Sequence, residues 1–162
     1  MKESVKTSSI KTVNPFNNEI VKEFGVMTDD QINEKTGLAD KAFKSWKKTP
    51  AARRAAVLSK VAVILRSRKE ELGKLATLEM GKLFKESVAE VELSASIFDY
   101  YADNGEKFLA DKPLDTPLGS AFLSYEPIGV ILSIQPWNFP FYQITRSAAP
   151  NLMAGNTMLL KH

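Results

Sequence analysis

An α/β fold, in which a layer of amphipathic helices precedes a parallel strand, helix and strand, is what this sequence of 162 residues predicts. Three observations carry it. Between positions 28 and 109, apolar residues recur at helical spacing behind recognisable start signals. "IGVILSI" at 128–134 is an apolar run suited to burial on both faces. A helix-compatible segment then leads to a second apolar run, "TMLLK" at 157–161. Strands joined through such a helix lie parallel, and their ligands bind beyond the strands' carboxyl ends.

Taken in order, "IKTVNPFNNEIVKEF" sets two short strand-like runs around the turn formers Asn14, Pro15, Asn17 and Asn18, and reads as a hairpin at an edge. Thr28 and Gln31 match a capping box, in which each side chain satisfies a free N–H at a helix start. The helix runs to about Trp46 with Ile32, Ala39, Phe43 and Trp46 on one side. Thr49-Pro50 signals a second start, with proline at the first helical position, and Leu58, Val61, Ala62 and Leu65 form one stripe with Arg54, Lys60 and Arg68 elsewhere. A third helix at about 69–80 carries Leu72, Leu75 and Ala76 and stops or kinks at Gly81.

The longest helix is expected at about 85–109, with Val88, Val91, Ala95, Phe98 and Ala102 inward and Glu86, Glu90 and Asp103 around the rest. Its aromatics Phe98, Tyr100, Tyr101 and Phe108 read as core packing. "DKPLDTPLGS" breaks the pattern and marks a junction, after which "AFLSYE" alternates like a strand. Pro140 opens a helix toward Ala154 that Pro150 is expected to kink or divide, and Gly155-Asn156 is a helix stop.

Composition excludes several chemistries. There is no cysteine and one histidine, so disulfides, cysteine metal sites, thiol nucleophiles and nearly all histidine triads are ruled out within this chain. The net charge of +3 comes from 22 basic and 19 acidic residues scattered along the chain, with no basic stripe carrying interleaved aromatics, so no nucleic-acid partner is expected. Residues 1–6 are polar without an apolar segment behind them, and no apolar run approaches the roughly 20 residues of a membrane span. A cytoplasmic protein with no membrane partner is the expectation.

Three side chains near the strand ends can bear chemistry. Asn138, between Pro136 and Pro140, carries an uncharged amide whose donors suit a developing oxyanion, or else it caps the following helix or makes an Asx turn. Arg146 follows it by eight residues, a little over two helical turns. Its guanidinium can hold a carboxylate through two parallel bonds, or it is a solvated surface arginine. Lys161 closes the second strand and either binds a ribose hydroxyl or phosphate or extends into solvent. No G-x-G-x-x-G and no P-loop accompany them.

"PIGVILSIQPWNFPFYQITRSAAPNLMAGNTMLLK", together with "NPFNNEIVKEF", "LEMGK" at 78–82 and "SYEPIGV" at 124–130, resembles the aldehyde dehydrogenase superfamily, and in detail its succinate-semialdehyde dehydrogenase branch. The resemblance implies the amino-terminal part of that fold: a helical layer and an incomplete parallel βαβ nucleotide-binding sheet. It implies that Asn138 donates to the oxyanion formed when a cysteine attacks an aldehyde. Ile134, Trp137 and Lys161 would contact NAD or NADP, and Arg146 the far carboxylate of the substrate.

It also implies a division into 1–113, the hairpin and helices of a cofactor-binding domain; 114–127, the start of an oligomerisation arm; and 128–162, the first βαβ unit of the nucleotide-binding sheet. A homo-oligomer follows from that arm. His162 departs from the proline that many members carry after the ribose lysine. Because the family's cysteine, glutamate base and pyrophosphate helix would come later, the 162 residues are expected to be an amino-terminal fragment, inactive alone. A non-catalytic self-associating or docking module is the competing expectation.

Overall fold

The computed structural model describes residues 9–117 and 119–162; the polar opening segment 1–8 and Leu118 of the junction lie outside the described residues. Strands β1 (Ser9–Val13) and β2 (Ile20–Gly25) pair antiparallel with a register shift at Thr12/Val13. Asn14 shapes their turn by accepting the Phe16 N–H on Oδ1 at 3.0 Å, and Asn18 takes the left-handed conformation at φ 61°.

Helix α1 (Asp29–Trp46) begins with the expected capping box: Thr28 Oγ1 accepts from the Gln31 N–H, and Gln31 Oε1 accepts from the Thr28 N–H. Its apolar side is shallower than the periodicity suggests. No α1 residue is buried, and Ile32 is 49% exposed, while Ala39, Phe43 and Trp46 are half-buried. Helices α2 (Ala51–Ser67), α3 (Lys69–Met80) and α4 (Phe84–Leu109) follow. Pro50 caps α2 rather than occupying its first turn, and Gly81 ends α3 at φ 75°, a conformation a side chain would resist.

Two charged residues that the periodicity places off the apolar stripes are buried. Arg54 is 9% exposed and Glu90 4% exposed. Periodicity sees only side-chain polarity and cannot see the carbonyls and N–H groups that another element brings to meet them. Among the α4 aromatics, Phe98 is buried and Tyr101 half-buried as expected, whereas Tyr100 and Phe108 stay exposed and pack ring against ring at 5.9 Å.

The junction itself contains a strand, β3 (Lys112–Leu114), paired antiparallel with β4 (Ala121–Leu123). Only half of "AFLSYE" is therefore paired. Strands β5 (Val130–Ile134) and β6 (Thr157–Lys161) are parallel, joined by α5 (Tyr142–Ala154). Pro150 does not divide α5. Asn151 Nδ2 donates to the Ser147 carbonyl at 2.8 Å in the turn that proline disturbs, and the flanking Ala148, Ala149 and Met153 are buried.

The core lies where α2, α4 and α5 meet, through Leu58, Ala62, Ala95, Phe98, Ala148, Ala149 and Met153. Gly105 of α4 permits this approach, since a Cβ there would stand 2.2 Å from Met153 Cγ. Burial of 128–134 on both faces is not observed. Ser133 is buried, but Leu132 is 65% exposed, and Ile128 and Ile134 are exposed as well, because alternate strand positions face away from α5. No described helix is long and apolar enough to cross a membrane.

Candidate functional site

Parallel pairing brings the two strand ends together. Ile134 lies opposite Lys161, and the next N–H, of Gln135, donates to the Lys161 carbonyl at 3.0 Å. The Gln135 amide then turns inward and donates to Ser133 Oγ and Ser147 Oγ, tying the end of β5 to the middle of α5. From there Pro136, Trp137, Asn138, Phe139 and Pro140 cross to the helix. Ile134, Trp137, Asn138 and Lys161 are all exposed along this edge.

The amino end of α5 bears on the capping reading of Asn138. The helix has no side-chain cap from its own sequence. Instead Glu90 of α4 reaches across, and its Oε1 accepts the N–H groups of Phe141 and Tyr142 at 2.8 and 3.0 Å. Its other oxygen pairs with Lys82, whose ammonium lies 3.7 Å from the Phe139 ring centroid. Asn138 is thus neither a cap nor the centre of an Asx turn, and its amide has no protein partner among the described residues. An exposed amide left uncommitted at a strand end is available to a ligand.

Trp137, 70% exposed, edges a cavity of about 330 Å³ bounded by Thr12, Met80, Phe141, Ile144 and His162. Lys161 extends into solvent and its ammonium donates to the His162 carbonyl at 3.2 Å. Arg146 is exposed, with its guanidinium carbon 6.0 Å from the Tyr142 ring centroid. Since α5 begins only at Tyr142, the eight residues from Asn138 to Arg146 do not amount to two helical turns. Arg146 stands one turn into the helix, on the face of Tyr142.

The other end of α5 is held by Arg54, which donates from Nε to the Met153 carbonyl at 2.8 Å and from Nη1 to the Thr49 carbonyl. A cation suits the negative end of a helix, and burial pulls the guanidinium below its ordinary range. Asn156, beyond the helix, accepts the N–H groups of Ile128 and Gly129 on Oδ1 and so fixes where β5 starts. In the sequence Asn156 belongs to a helix stop after Gly155 and Lys82 to the "LEMGK" segment, whereas Glu90 and Arg54 lie off the apolar stripes and carry no local signal.

The Lys161 ammonium, the exposed Trp137 indole and the exposed Ile134 side chain stand at the carboxyl ends of the parallel strands, the side of such a sheet on which ligands bind. No glycine-rich phosphate loop is present in the sequence. Among the described residues no group of three histidine, cysteine, aspartate or glutamate side chains could hold a metal.

The sequence pattern of the aldehyde dehydrogenase family matches residues 2–162. This chain belongs to that family. It is 46% identical over 151 residues to the succinate-semialdehyde dehydrogenase (NADP+) of Deinococcus radiodurans, covering 93% of this chain and 32% of that protein. A probable succinate-semialdehyde dehydrogenase (NADP+) of Synechocystis is 44% identical, with 95% and 34% covered. The crystal structure of succinic semialdehyde dehydrogenase from Streptococcus pyogenes in complex with NADP+ superimposes with a TM-score of 0.90 at 43% identity, over 94% of this chain and 34% of that one. The chain spans about a third of the length of the curated relatives it matches. The fold is that of the matching part of an aldehyde dehydrogenase.

Proposed function

We propose that these residues serve the NADP-dependent oxidation of an aldehyde, succinate semialdehyde in particular, to the carboxylic acid. One observation carries the reading: Asn138 stands exposed at the end of β5 with its amide uncommitted among the described residues, while Glu90 does the capping. The relatives' names supply the substrate and the choice of NADP over NAD. A thiolate must attack the aldehyde carbonyl, and this chain has no cysteine, so the nucleophile comes from outside these 162 residues and the chain alone is inactive.

As the carbonyl becomes tetrahedral, its oxygen gains charge, and the Asn138 amide donates to it without changing protonation state. NADP, when bound, supplies the hydride acceptor. Ile134 and Trp137 would line its nicotinamide side and Lys161 would donate to a ribose hydroxyl. Arg146 would hold the far carboxylate by two parallel bonds, a geometry that its exposed guanidinium fork allows. Residues 1–113 and 128–162 would form part of the cofactor-binding domain, and the β3–β4 ribbon in and around 114–127 would begin an oligomerisation arm. A homo-oligomer in the cytoplasm completes the reading.

In the enzyme that unites these residues with a cysteine, Asn138→Ala lowers kcat about 100- to 1,000-fold, the usual loss for one oxyanion donor. Arg146→Ala raises KM for succinate semialdehyde and leaves an uncharged aldehyde of similar length unaffected. Equal weakening of both substrates refutes the carboxylate role. A second reading, a non-catalytic self-associating module, is favoured by the exposed Leu132, Ile134 and Leu160 of the sheet. It requires a melting temperature that rises with protein concentration.

A further inference from the structure

We infer that the buried Lys82–Glu90 pair positions Asn138, by clamping the Phe139 ring and the first N–H groups of α5 so that the turn presents its amide in one orientation. The inference rests on the oxyanion role proposed for Asn138. Three elements converge on this turn: Lys82 comes from the connection between α3 and α4, Glu90 from the second turn of α4, and the recipients from α5. Both charged side chains are almost wholly buried, and one carboxylate is shared between an ammonium and two backbone donors.

The turn is pinned at both ends. On one side the Gln135 N–H is held by the Lys161 carbonyl, and on the other Glu90 holds Phe141 and Tyr142. Five residues lie between, two of them prolines with fixed φ. Lys82 over the face of Phe139 fixes the residue next to Asn138 through cation–π attraction, and the Tyr142 ring meets Phe139 edge-on at 6.1 Å. None of these contacts uses the Asn138 side chain. The backbone is therefore held while the amide is uncommitted among the described residues.

A buried ion pair is weak support for stability, because desolvating both charges offsets their attraction. Its value here is geometric. The carboxylate also faces the positive end of α5, where negative charge is favoured. Lys82 and Glu90 touch no reacting atom and act only through the turn.

The test uses Glu90→Gln, which keeps an acceptor of the same shape but removes the charge, in the enzyme that unites these residues with a cysteine. We expect kcat to fall about tenfold with KM within about twofold, as for a small misplacement of a catalytic group. On an Asn138→Ala background the same change should cost nothing further, since residues acting as a unit are not additive. Amide exchange at Phe141 and Tyr142 should speed up in the same variant. If Glu90→Gln does not fold, Lys82→Gln is expected to give the same pattern.

A folded Glu90→Gln enzyme with unchanged kcat overturns the inference and leaves the role of Asn138 intact. An equal loss on both backgrounds overturns it too, because Glu90 would then act elsewhere. Unchanged kcat in Asn138→Ala alone is the failure of the oxyanion role, and unchanged exchange at Phe141 and Tyr142 is the failure of the clamp.

Discussion

Replacing Asn156 by alanine tests the claim that one buried amide sets the start of β5. Asn156 is 5% exposed, and its Oδ1 accepts the N–H of Ile128 at 2.7 Å and of Gly129 at 3.0 Å while its Nδ2 donates to Asn151 Oδ1 at 3.2 Å. Alanine removes all three bonds. Ile128 is exposed and Gly129 half-buried, so each orphaned N–H regains some water and costs about 1 kcal/mol rather than the full penalty of a sealed donor. With the Asn151 bond, the loss is about 2 to 3 kcal/mol.

Asn156→Asp separates the contributions. It keeps an acceptor for both backbone donors but sets a carboxylate against Asn151 Oδ1, and Asn151 cannot turn its amide round without losing the Nδ2 bond to Ser147. A loss of about 1 kcal/mol is expected. Urea unfolding followed by far-ultraviolet circular dichroism measures both, provided the m-value is unchanged. A loss below about 0.5 kcal/mol in Asn156→Ala, or equal losses in the two variants, refutes the reasoning.

The close approach of α4 and α5 predicts that Gly105→Ala destabilises despite the better helix propensity of alanine, worth about 1 kcal/mol. Displacing the buried Met153 side chain costs about 1 to 3 kcal/mol, so a net loss of about 1 kcal/mol should appear in urea midpoints and be relieved by Met153→Ala in the double variant. The pH dependence follows from Glu92, whose carboxyl lies below the ordinary range because Arg66 and then Lys69 donate to it. A lowered carboxyl contributes stability that is complete above its ordinary range and lost as pH falls through its depressed value. Arg66→Gln should therefore flatten the acid side of a stability profile, and added salt should do so partly, since the pair is solvent-exposed.

Much of the architecture was legible because it depends on local rules. The capping box at Thr28, the left-handed Gly81 and the βαβ order with Asn138 at a strand end follow from hydrogen-bond satisfaction, backbone sterics and periodicity acting within a few residues. The β3 strand was hidden by its proline, and the depth of α1 was overestimated because a stripe shows which side is apolar but not how much neighbouring structure covers it.

By itself the sequence determined the helices, the parallel pair, the family and the absence of a thiol nucleophile, all of which reside in residue identity and short-range order. The tertiary structure alone decided what Asn138 is free to do. Whether that asparagine caps its own helix depends on whether another acceptor arrives first, and the acceptor is Glu90, 51 positions away from Phe141 along the chain. The same holds for Arg54, which meets Met153 across 99 positions. A charge becomes a buried clamp only when folding brings it the backbone groups that replace water.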